Sequence, residues 1–96
     1  MKASDRYQVS VPIEFRSENS TTHKALLNNI GVNGLCFNSI KHVTEGKNLD
    51  VVIQKNSAVL EARGTVVWCK KHPRSYAVGV KLAKELDPAD IATLAE

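Results

Sequence analysis

The feature that most constrains this chain is its period. Apolar side chains recur at every second position in one short stretch after another, and no helical period of useful length interrupts them. Val9, Val11, Ile13 and Phe15 alternate with Gln8, Ser10, Pro12 and Glu14, as in a strand with one face buried and one face wet. Residues 16–22 are polar and turn-like. Residues 23–30 extend again, with Ala25 and Leu27 on one face and Leu26 on the other. Residues 31–34 form a turn rich in Gly and Asn, types suited to positive φ. Leu35, Cys36 and Phe37 make a short strand, and Leu49, Val51 and Ile53 alternate in the next. Asn56 and Ser57 are a hairpin turn leading into residues 58–70, and Tyr76, Val78, Val80 and Leu82 alternate in the last stretch.

About six strands at such short spacing predict a small closed barrel, because closure removes exposed edges. The tail differs. Asp87 suits an N-cap, Pro88 the first helical position and Asp90 the first turn. Leu86 and Ile91 are placed as a hydrophobic staple, and Ile91, Leu94 and Ala95 share one apolar face. The expected fold is mainly β: a six-stranded antiparallel barrel with a short C-terminal α-helix. The 96 residues fit a single domain spanning 1–96.

Composition bounds the function. The chain has one Trp, two Tyr and two Phe, so Val, Leu, Ile and Ala must build most of the core. No apolar stretch is long enough to cross a membrane, and the first six residues lack the apolar region of a secretory signal. A cytoplasmic protein without membrane insertion is expected. Cys36 and Cys69 lie far apart and read as small buried or half-buried side chains. The net charge of +3 mildly favours an anionic partner. The basic residues 70–74 read as a solvated turn, and His23, His42 and His72 as surface or turn residues. Trp68 reads as a packed barrel residue. A small basic barrel can bind single-stranded nucleic acid, but the aromatics fall mostly at core-like or terminal positions, so that partner is not expected. No catalytic set or metal motif stands out, so neither an enzyme nor a cofactor is expected.

Two cations four residues apart, Lys2 and Arg6, precede the stretch Asn29-Ile30-Gly31-Val32-Asn33-Gly34. Together they resemble the two-part ligand motif of the PilZ domain, a bacterial receptor module for cyclic di-GMP: Arg-x-x-x-Arg, then Asp/Asn-x-Ser-x-x-Gly. Gly64-Thr65-Val66-Val67-Trp68 is similar to the family's Gly-x-Val-Val-Trp strand. The stretch from Tyr76 to Leu82 is similar to the strand that follows it. Arg6 also precedes Pro12 by the family's spacing. The resemblance covers almost the whole chain and implies a PilZ-like split barrel. It implies a cyclic di-GMP site at Lys2, Arg6, Asn29, Gly31 and Gly34. Arg6, Asn29 and Gly34 satisfy the motif; Lys2 stands where Arg is usual, and Gly31 where Ser is usual.

The ligand carries two phosphates and two guanines. A guanidinium fork can meet the O6 and N7 edge of guanine bidentately and can stack on a base. A lysine at position 2 keeps the charge but loses the fork. One lost charge-assisted bond costs about 1.5–3 kcal/mol and a lost hydroxyl about 0.5–1.5 kcal/mol. The sum, about 2–4.5 kcal/mol, is roughly 30- to 2000-fold in affinity. The resemblance therefore implies a weakened cyclic di-GMP receptor or adaptor acting on a downstream protein partner, such as motility or pilus machinery. The alternative is a PilZ-fold protein-interaction module that has lost the nucleotide.

Overall fold

A computed structural model describes residues 6–17 and 21–95. The strands are β1 (Tyr7–Ser17), β2 (His23–Ile30), β3 (Gly34–Ser39), β4 (Asn48–Lys55), β5 (Ala58–Lys71) and β6 (Tyr76–Leu82), followed by helix α1 (Pro88–Ala95). They close into a barrel in the order β1-β2-β3-β6-β5-β4, with every neighbouring pair antiparallel. The fold is the one the alternation predicts, and each apolar stretch becomes one strand.

The alternating residues fill the interior. Ile13, Phe15, Leu27, Leu35, Phe37, Val51, Ile53, Val78 and Val80 are all buried, while Leu26 faces outward. Phe15 and Phe37 meet ring to ring at 4.9 Å. His23, at the start of β2, lies 5.5 Å from the Phe15 ring, so it is a half-buried neighbour of the core rather than a free surface group. The turn at 56–57 is the expected hairpin: Lys55 faces Ala58, and Asn56 takes a φ of 56°.

The helix starts as its sequence dictates. The Ala89 amide donates to Asp87 Oδ1 at 2.9 Å, satisfying one of the free donors of the first turn. Ile91 and Leu94 are buried against the barrel, and Lys55 Nζ donates to the Leu94 carbonyl at 2.8 Å. Among the described residues no helix is long and apolar enough to cross a membrane.

Three β-bulges interrupt the alternation. On β1, Gln8 faces Asn29 and Val11 faces Leu27, so one residue is extra between them. On β2, Leu27 faces Phe37 and Asn29 faces Cys36, leaving Asn28 over. On β5, Val66 faces Val80 and Trp68 faces Gly79, leaving Val67 over. One extra residue flips every later side chain to the other face. Leu27 and Ile30 are both fully buried despite their odd spacing, which sends Asn29 outward. Val66 is buried and Cys69 packs against the core, which sends Trp68 outward. Trp68, read from sequence as a packed barrel residue, does pack on the barrel, but half-buried on its outer wall and not in the core.

Candidate functional site

The bulges line up across four strands. Asn29 on β2 faces Cys36 on β3, Cys36 faces Gly79 on β6, and Gly79 faces Trp68 on β5. This row crosses the outer wall of the barrel. Gly79 is needed there for space, because a Cβ at that position would overlap the indole of Trp68. The ring thus packs against the bare backbone of Gly79 on β6.

Arg6, immediately before β1, completes the other side. Its Nη1 donates to Asn29 Oδ1 at 2.6 Å. Its Nη2 rests over Gly34, 3.1 Å from where a Cβ would stand, and that Cβ would also press on the Val80 carbonyl oxygen at 2.8 Å. Gly34 is therefore a close-approach glycine. The turn at 31–34 was expected to use positive φ, but among the described residues only Gly46 and Asn56 have it. The turn closes instead through the Gly31 amide, which donates to the Gly34 carbonyl at 2.8 Å.

Between these groups lies an open groove of about 250 Å³, lined chiefly by Arg6, Gly34, Cys36, Trp68, Gly79 and Lys81. It is smaller than the roughly 300–1,000 Å³ of a typical small-molecule pocket, so it suits part of a ligand laid on an open surface. Arg6 and Lys81 are exposed cations, and among the described residues none that lines the groove is acidic. Lys70 Nζ stands 5.9 Å from the Trp68 ring, at the limit of a cation–π contact. A flat apolar ring, a guanidinium fork and an ammonium together can hold a stacked base and a phosphate.

A larger depression, about 770 Å³, lies between the outer faces of β4 and β5 and the segment leading into α1. Its lining mixes both signs of charge, and Arg63 pairs with Asp50 at 3.1 Å. Among the described residues no cluster of three or more His, Cys, Asp or Glu is arranged to hold a metal.

Of the residues singled out by sequence, Arg6, Asn29 and Gly34 come together. Gly31 is buried and shapes the turn without lining the groove. Lys2 lies outside the described residues. Sequence reasoning missed Trp68, Gly79 and Lys81 as parts of one surface. The available signal was Gly79, a glycine inside a strand pattern, which marks a bulge or a close approach.

Comparison with known proteins follows the same outline. The family model for the PilZ domain matches residues 2–96. The PilZ domain of YcgR from Escherichia coli, solved with c-di-GMP, superposes with a TM-score of 0.75 at 8% identity, over 97% of this chain and 85% of that one. The Bacillus subtilis inhibitor of motility, MotI/DgrA, gives 0.73 at 13% identity over 98% of this chain and 48% of that one. PlzA of Borreliella burgdorferi, solved in complex with c-di-GMP, gives 0.65 at 12% identity over 100% of this chain and 41% of that one. The chain thus spans less than half the length of the last two. No curated protein sequence matches it. At these identities the structural likeness speaks for the fold alone.

Proposed function

We infer the function from the family: this chain belongs to the PilZ domain family, and its outer groove serves as a weakened receptor site for cyclic di-GMP. One observation carries the reading. Arg6 and Asn29, 23 positions apart, meet at 2.6 Å over the bare backbone of Gly34, beside the Trp68 ring. In the groove Arg6 reaches a guanine edge or phosphate, Asn29 holds its guanidinium, and Trp68 offers a stacking face. Two of the structural neighbours were solved with c-di-GMP, which supports the same ligand here. The occupied domain then acts on a downstream protein. A neighbour described as an inhibitor of motility supports a partner in motility machinery.

The departures at Lys2 and Gly31 favour a second reading, a protein-interaction module on the same barrel that no longer takes the nucleotide. The two readings separate in one variant. Lys2→Arg combined with Gly31→Ser restores the full motif. It is expected to bind cyclic di-GMP at least tenfold more tightly than the parent, about 1.4 kcal/mol. Gly31 does not have positive φ, so serine meets no left-handed strain there. Titration calorimetry reads the gain, and the thermal midpoint checks the fold. A well-folded double variant that gives no heat with cyclic di-GMP leaves the interaction module as the function.

A further inference from the structure

We propose that Lys81 is the second cation of the ligand groove and contacts a phosphate of the bound cyclic dinucleotide. The inference rests on the receptor reading above. Lys81 lies on β6, is exposed, and lines the groove together with Arg6. Its cross-strand partner on β3 is Gly34, the residue over which the Arg6 guanidinium rests. Directly opposed residues of antiparallel strands hold their Cβ positions about 5 Å apart. The stem of Lys81 therefore leaves the barrel wall beside the Arg6 head group. On its other side Lys81 faces Thr65, which is uncharged and donates its hydroxyl to Asn48 Oδ1 at 2.9 Å.

Two neighbouring cations repel each other, and among the described residues neither has a carboxylate within ion-pair distance. An anion between them removes the repulsion and gains two charge-assisted contacts. Arg63, two residues before Thr65 on β5, is already paired with Asp50. Lys81 thus supplies at the groove wall a phosphate contact that does not depend on position 2.

The test is titration of cyclic di-GMP into the parent, Lys81→Gln, Lys81→Arg and Lys84→Gln, with Arg6→Ala alongside. Lys84 is exposed just beyond β6 and outside the groove. Lys81→Gln is expected to weaken binding about tenfold, whereas Lys81→Arg and Lys84→Gln stay within about threefold of the parent. The loss should shrink as salt rises from about 0.05 to 0.5 M, because screening removes what the ammonium contributes. The thermal midpoint of Lys81→Gln should stay within about 2 °C of the parent, since the side chain is exposed. Lys81→Gln binding within about twofold of the parent, while Arg6→Ala loses binding, overturns this assignment and leaves the receptor reading intact. No binding by the parent or by the Lys2→Arg, Gly31→Ser variant overturns both.

Discussion

Arg6→Ala is expected to abolish measurable binding of cyclic di-GMP. Among the described residues Arg6 is the one guanidinium that lines the groove, and its Nη1 bond to Asn29 at 2.6 Å fixes the direction of the fork. A bidentate contact from that fork amounts to two charge-assisted bonds, each about 1.5–3 kcal/mol. Losing both costs about 3 kcal/mol or more, which is beyond roughly 100-fold. Starting from an affinity already weakened at positions 2 and 31, the variant falls out of the measurable range. Folding should be nearly unaffected, within about 0.5 kcal/mol, because Arg6 is exposed and its bond to Asn29 is a surface bond. Calorimetry and a thermal melt of the same sample check both halves. Binding retained within about threefold removes Arg6 from the site.

Phe37→Ala should be the most damaging single truncation in the barrel. Phe37 is the largest fully buried side chain, and its ring meets Phe15 at 4.9 Å. It faces Leu27 on one neighbouring strand and Val78 on the other, both with no exposure. A phenylalanine removed from such a place costs about 3–5 kcal/mol, because the surrounding side chains close the cavity only in part. Small domains have only about 5–15 kcal/mol in hand. For a domain of this size the loss corresponds to a fall in melting temperature on the order of 20 °C. The site should suffer with it, since Phe37 sits on β3 between Gly34 and the strand's far end. A melt lowered by only a few degrees contradicts the assignment of Phe37 to the centre of the core.

The barrel was legible because a period of two survives averaging. Ile13, Phe15, Val51, Ile53, Val78 and Val80 keep their phase over whole strands, so faces and strand count follow directly. The helix start was legible because Leu86, Asp87 and Pro88 each have a separate local reason to stand there. The groove was legible only in part. Arg6, Asn29 and Gly34 came from a resemblance in motif and spacing. Their meeting depends on Asn28, one extra residue that turns Asn29 from the core to the wall. From sequence Trp68 reads only as a packed barrel residue at a core-like position, two residues after the inward Val66. The bulge at Val67 reverses that, and only pairing across to β6 reveals it. Lys81 was invisible for the same reason: its importance lies in facing Gly34 across two strands that are 47 positions apart in sequence (81 − 34). The turn at 31–34 was misread in its backbone, since Gly34 is required by the crowding of Arg6 and Val80 and not by its φ.

The central claim is tested most directly by calorimetric titration of the unmodified chain with cyclic di-GMP, with GTP and cyclic GMP as controls. A saturable heat is predicted for cyclic di-GMP alone, with a Kd between about 1 μM and about 1 mM, the range left when a full motif loses about 2–4.5 kcal/mol. A folded protein that gives no heat with millimolar cyclic di-GMP, or that takes GTP equally well, contradicts the account.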